Sequence, residues 1–249
     1  SYRRFHSRSG EHTTMTESER NEFILKYLTE NRTNTALLLN GSWGCGKTFY
    51  IKNSLIPFLK ENKKKVVYIS MYGIQNTEAL SKSIFTEACF QKLNTKGGTI
   101  SLGIAKTVLK GITSYFNVDI GVEAEEIKKL SNFVNLKNKL LIIDDLERHD
   151  PSFSIIEILG FINNLCENDG IKVLLICDEK SLFKVGLDED SSIKYKLIKE
   201  KTIGDTLSFI PDISSTIPSI IASFNLQNTI ENEKIILKRL SEACLSSKV

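Results

Sequence analysis

The stretch Gly41-Ser42-Trp43-Gly44-Cys45-Gly46-Lys47-Thr48 puts three glycines, an ammonium group and a hydroxyl within eight residues. That spacing suits the holding of a phosphate chain. Glycines let the backbone turn so that successive N–H groups point inward at phosphate oxygens. A helix starting near Lys47 would present its positive N-terminal end to the same anion. Lys47 would add a point charge at the β- and γ-phosphates, and the Thr48 hydroxyl would hold Mg²⁺. Phe49, the next residue, joins the same nucleotide-binding set. Cys45 has two readings: a thiol whose pKa the helix end lowers, or a small side chain tolerated in the turn.

A second constellation lies well downstream. Leu140-Leu141-Ile142-Ile143 is an apolar run with no polar residue, followed at once by Asp144-Asp145-Leu146-Glu147-Arg148. Acids emerging from a buried strand fall at its C-terminal edge, where open α/β sheets bind ligands. Asp144 would belong to the Mg²⁺ shell. Asp145 or Glu147 would polarise the attacking water. Arg148 either contacts the γ-phosphate of its own or a neighbouring subunit's nucleotide, or pairs with Asp145, Glu147 or Asp150. Asp178, just past another apolar run, either senses the γ-phosphate or caps the following helix. Lys201 stands near the phosphates or in a solvated charge run. His149 has no partner cluster and is given no role.

Positioning these groups requires a sheet. Short runs at Ala36–Leu39, Val66–Ser70, Leu140–Ile143 and Lys172–Cys177, with a last short one at Thr206–Phe209, read as strands. Between them fall helical segments: Glu17–Glu30 before the first strand, then Lys47 to about Glu61 with Pro57 as a kink, and Thr77–Leu93. Others follow at Glu123–Leu136, Phe153–Cys166, Glu179–Val185 and Ser192–Lys199. Alternating strands and helices predict a three-layer α/β sandwich around a mainly parallel sheet. Residues 15–210 form that domain, 95–122 read as an insertion, and 211–249 read as a helical annex with truncation left open. Residues 1–14 lack apolar periodicity and read as a non-native leader or a disordered tail.

Composition excludes several classes. The 249 residues are 41% hydrophobic and 25% charged, enough apolar content for a core without staples. The net charge is +3, and residues 1–14 carry three arginines against one glutamate, so the rest is close to neutral. No direct nucleic-acid signal follows from charge. The five cysteines, Cys45, Cys89, Cys166, Cys177 and Cys244, are scattered without a C-x-x-C pair, which argues for a reduced cytoplasmic setting. The longest uncharged stretch, Ile213–Ile230, is diluted by Ser, Asn, Gln and Pro218, so membrane contact is disfavoured.

With Trp43 in G-x-W-G-x-G-K-T and Ile143–Arg148 as I-D-D-L-E-R, the sequence resembles the KAP family of P-loop NTPases. Lys199-Glu200-Lys201-Thr202-Ile203, ahead of Phe209-Ile210-Pro211, is similar to that family's late block. The resemblance covers roughly residues 20–211. It implies a sheet in 5-1-4-3-2 order, a helical annex and ATP as the nucleotide. It also implies ATP-driven switching or assembly with a homo-oligomeric or effector partner, in bacteria often in defence against phage. That family often carries transmembrane helices between its two motifs; residues 95–122 are too short and polar to span twice. It commonly has Asp where Glu147 stands. The residues themselves leave two further readings open: a nucleotide-gated interaction module with little hydrolysis, and a phosphotransferase.

Overall fold

The computed structural model describes residues 15–30, 33–94, 136, 139–184 and 189–210. The leader at 1–14, the insertion at 95–122, nearly all of the helix expected over Glu123–Leu136, and the annex from 211 lie outside these. The chain divides into two compact units, Ser1–Phe209 and Ile210–Val249. The sheet and the helices that cover it belong to the first unit.

Thr16 starts helix α1 (Glu17–Thr29) with a capping box. Its hydroxyl accepts from the Glu19 N–H, and the Glu19 carboxylate accepts from the Thr16 N–H; two orphan donors are thereby satisfied. Strand β1 (Ala36–Asn40) follows, and Leu37, Leu38 and Leu39 are buried on both faces. Beyond the glycine-rich turn come α2 (Lys47–Tyr50), a wider π turn at Ile51–Leu55, and α3 (Ile56–Glu61). The single helix expected here is broken because Pro57 has no N–H to give to the carbonyl four residues back. The chain widens instead, and the Ile56 N–H reaches the Ile51 carbonyl five residues away.

The remaining elements are β2 (Lys65–Ser70), α4 (Thr77–Asn94), β3 (Lys139–Asp144), a 3₁₀ turn at Leu146–Arg148, α5 (Ile155–Glu167), β4 (Lys172–Cys177), α6 (Glu179–Lys184), α7 (Glu189–Thr202) and β5 (Ile203–Ser208). All pairings are parallel, in the order β2-β3-β4-β1-β5. Read from the other edge, this is the expected 5-1-4-3-2.

Period-two side chains divide the core into two layers. One face of the sheet (Leu38, Val67, Leu141, Ile143, Leu175) packs against α4, α5 and α7 through Leu80, Ile84, Ile158, Ile162 and Tyr195. The other face (Leu37, Leu39, Leu140, Ile142, Leu174) packs against α1 and the α2–α3 segment through Ile24, Tyr50, Ile51, Leu55 and Leu59. Buried Arg20 bolts α1 to the phosphate-loop helix, lying 4.9 Å from the Tyr50 ring centre and 4.7 Å from that of Phe209. Tyr50 donates its hydroxyl to Asn21 at 2.6 Å.

Strand β5 starts three residues earlier than the apolar pattern suggests. Its first half is interrupted by Gly204: Ala36 pairs with Ile203 but Leu37 pairs with Asp205, so Gly204 is an extra residue in the ladder. A Cβ on Gly204 would meet the Thr35 side chain, with the Thr35 Cβ at 3.3 Å, so a larger residue here would push that side chain aside. Helix α7 extends beyond Ser192–Lys199 at both ends. Among the described residues, no helix is long and apolar enough to cross a membrane.

Candidate functional site

The C-terminal ends of β1, β3 and β4 bring the two constellations together. Gly44 and Gly46 sit at φ +79° and +95°, where a side chain is strained. Gly41 is required for a different reason: a Cβ there would stand 2.9 Å from the Phe209 carbonyl oxygen and 3.0 Å from Cys45 Sγ. The Cys45 side chain thus packs under the turn, against the core on the α1 side. The Gly41 N–H donates to the Cys177 carbonyl at 3.1 Å and so ties the turn to β4.

Lys47 is only 7% exposed. Its Nζ donates to the Gly41 carbonyl at 2.6 Å and the Ser42 carbonyl at 3.1 Å, bracing the turn from within. The Thr48 hydroxyl donates to Asp144 Oδ2 at 2.8 Å, and the Tyr68 hydroxyl donates to the same oxygen at 2.7 Å. Asp144 is 1% exposed, and its Oδ1 accepts from the Asp145 N–H at 2.8 Å. Burial, then the hydrogen bond to Asp144, push the Tyr68 phenol well above its ordinary pKa and keep it a donor.

Asp145 occupies the left-handed region at φ +58°, and its Oδ2 accepts from Ser70 Oγ at 2.8 Å. Glu147, on the following 3₁₀ turn, has a buried Oε2 with no hydrogen-bond partner among the described residues. Arg148 lies over the Tyr72 ring, 4.4 Å from its centre; none of the ion pairs among the described residues involves it. Trp43 at the crest of the turn is 77% exposed and Phe49 50%. Lys201 makes an exposed pair with Glu167 at 3.8 Å.

Asp178 caps α6, accepting from the Lys180 N–H at 3.1 Å and the Ser181 hydroxyl at 2.7 Å. It also accepts from the Trp43 N–H at 3.0 Å, a contact across to the phosphate turn. Burial opposes its charge, but the Ser181 and Trp43 hydrogen bonds, with Lys47 nearby, outweigh it and hold the carboxyl below the usual range. A depressed folded-state pKa gives stability that is complete above the unfolded value and lost as pH falls through the folded one. Asp178→Ala is therefore expected to lower stability by about 1–2 kcal/mol at neutral pH, the scale of a lost cap. The deficit should shrink below about pH 4, near the ordinary carboxyl value; urea unfolding at both pH values checks this.

Sequence reasoning missed the groups that support these residues. Asn40 exchanges two hydrogen bonds with Glu179, one to its N–H at 3.0 Å and one to its carboxylate at 3.3 Å. The other carboxylate oxygen of Glu179 accepts from Tyr195 and Lys199. Tyr68 and Ser70 were invisible for the same reason: each depends on strand register. The only available signal was their period-two spacing on a strand next to the acids.

The pairing of a carboxylate with a hydroxyl at the turn provides hard oxygen donors, which fit Mg²⁺ better than a soft metal. The buried ammonium and the N–H groups of the turn can together hold phosphate oxygens.

No curated protein sequence matches the chain. Among solved structures, a DNA replication initiation factor is 16% identical, with 94% of this chain and 62% of that one covered and a TM-score of 0.46. AMPPCP-bound DnaA from Aquifex aeolicus is 17% identical (87% and 54% covered, TM-score 0.41). A Walker-type ATPase of Pyrococcus abyssi is 14% identical (88% and 62% covered, TM-score 0.48). The chain spans less than two thirds of the length of each. The family model for the KAP family P-loop domain matches residues 21–247, and the chain accordingly belongs to the KAP family of P-loop NTPases, a nucleotide-binding family.

Proposed function

We propose that this chain binds ATP with Mg²⁺ and hydrolyses it as a regulatory or assembly switch in the cytoplasm, with antiphage defence in bacteria as its setting. The observation that carries the reading is the meeting of Thr48 Oγ1 and Asp144 Oδ2 at 2.8 Å beside the buried Lys47. In this reading the amides of Gly41–Thr48 other than those of Gly41, Trp43 and Cys45, which the fold already engages, cradle the phosphates, Lys47 bears on the β- and γ-phosphates, and Phe49 and Asp178 complete the binding surface. Thr48 and Asp144 hold the metal, which when bound neutralises phosphate charge.

Asp145 or Glu147 accepts a proton from water as its oxygen bonds to the γ-phosphorus and the bond to the leaving diphosphate breaks. The unpartnered Glu147 oxygen and the strand-tip position of Asp145 both support this role. Arg148 offsets charge on the transferred group, in its own site or in a second copy's. A homo-oligomeric neighbour or an effector protein reads the state of the loop.

A second reading, a nucleotide-gated module with little turnover, is favoured by the bond between Ser70 and Asp145, which occupies one candidate acid. Phosphate release and thermal melting with Mg²⁺–ATP separate the two. The switch releases phosphate and melts several degrees higher with saturating nucleotide; the module only melts higher. Unchanged melting with every triphosphate plus Mg²⁺ overturns both, and GTP acting better than ATP overturns the base assignment.

A further inference from the structure

Among the described residues, strand β2 is an edge strand, paired only with β3. In register, Tyr68 lies opposite Ile142 and Ser70 opposite Asp144. Side chains two apart on a strand share a face, and here that face looks toward the phosphate-loop helix. The Tyr68 hydroxyl reaches Asp144 at 2.7 Å and Ser70 reaches Asp145 at 2.8 Å. Two residues further on, the Tyr72 ring lies under Arg148. The Met71 N–H donates to the Asp144 carbonyl at 2.8 Å, continuing the ladder past the strand end. The end of β2 thus holds Asp144, Asp145 and Arg148 in turn.

At Asp144 the two hydroxyl donors differ in kind. Thr48 belongs to the loop, and in the proposed nucleotide reading its oxygen turns to the metal. Its bond to Asp144 is then exchanged. Tyr68 belongs to the sheet and is backed by Lys52, whose Nζ lies 5.1 Å from the ring centre. Its bond has no reason to break. A hydroxyl donating to a carboxylate is among the stronger hydrogen bonds, and its direction is well defined. Groups behind a metal ligand set its orientation as much as the ligand's own backbone does.

We propose that Tyr68 is a positioning residue: it fixes Asp144 Oδ2 so that the carboxylate meets Mg²⁺ once Thr48 lets go. The inference rests on the nucleotide reading but concerns a residue outside the phosphate loop and the acid stretch.

Tyr68→Phe removes one oxygen and keeps the ring. The test titrates Mg²⁺ against protein saturated with a non-hydrolysable ATP analogue and follows the melting temperature. For the variant, the Mg²⁺ midpoint should rise about tenfold; melting without nucleotide should drop by the loss of one hydrogen bond to a buried carboxylate, while the increment that nucleotide gives in chelator stays near the parent value. Ser70→Ala leaves the bond from Tyr68 to Asp144 intact, so it should keep the parent midpoint while changing phosphate release with ATP.

An unchanged midpoint in Tyr68→Phe overturns the proposal. So does a parallel loss of the metal-free and metal-bound shifts, which would make Tyr68 a packing residue only. If the parent protein itself shows no nucleotide-dependent shift, the nucleotide reading is overturned and this inference falls with it. A parent shift with an unmoved variant overturns this inference alone.

Discussion

Lys47→Ala should reduce phosphate release by about 10²–10³-fold or more, the scale on which removal of one preorganised charge-stabilising donor acts. The geometry gives the reason. Lys47 is the buried cation at the turn, and its Nζ is within hydrogen-bond distance of the Gly41 and Ser42 carbonyls. A phosphate entering the turn offers the same ammonium a charged acceptor in place of two neutral ones, so the lysine is held close to its working position. Alanine removes the charge and also the internal brace. The nucleotide-free protein should lose little, about 1 kcal/mol for hydrogen bonds that water can partly replace. The melting increment produced by Mg²⁺–ATP should vanish. An alanine variant that keeps both its increment and its turnover would remove Lys47 from the site. One that fails to fold would instead make it a structural brace.

Residues whose roles follow from their neighbours in the chain were readable in advance. The turn at Gly41–Thr48 depends on local backbone freedom and on the helix that follows it, so its composition gives it away. Asp144 is readable because the first acid after an apolar run marks the C-terminal tip of a buried strand. Strands β1, β3 and β4 are central and apolar on both faces, and their runs mark them directly. Strand β5, at the edge of the described sheet, is solvated over Gly204, Asp205 and Thr206, and its bulged Gly204 lies against Thr35; no local pattern encodes that contact. Tyr68, Ser70 and Asn40 act across strands or onto a docked helix, so their partners are fixed by register and packing, which the linear order does not contain. Asp178 shows a mixed case. Its capping of α6 is local and foreseeable, whereas its bond to the Trp43 N–H joins two strand tips.

Asp144→Asn should separate binding from turnover. The side chain is 1% exposed and accepts three hydrogen bonds, from Thr48, Tyr68 and the Asp145 N–H. Asparagine has the same shape. Its oxygen can still accept from the Asp145 N–H, and its amide can face the two hydroxyls, which rotate to accept instead of donate. The fold should therefore hold, and loss of a buried charge can even raise stability. The negative charge that would oppose the metal is gone. Phosphate release should fall by about 10²-fold or more, while calorimetry in chelator should find nucleotide affinity near the parent value, because the loop amides and Lys47 are untouched. Added Mg²⁺ should strengthen binding in the parent protein and much less in the variant. Lys47→Ala predicts the opposite pattern, with nucleotide affinity lost whether or not metal is present. The two variants thus test the two halves of the site independently. Parent-level turnover in Asp144→Asn would detach the strand-tip acid from the metal and leave the phosphate loop to stand without it.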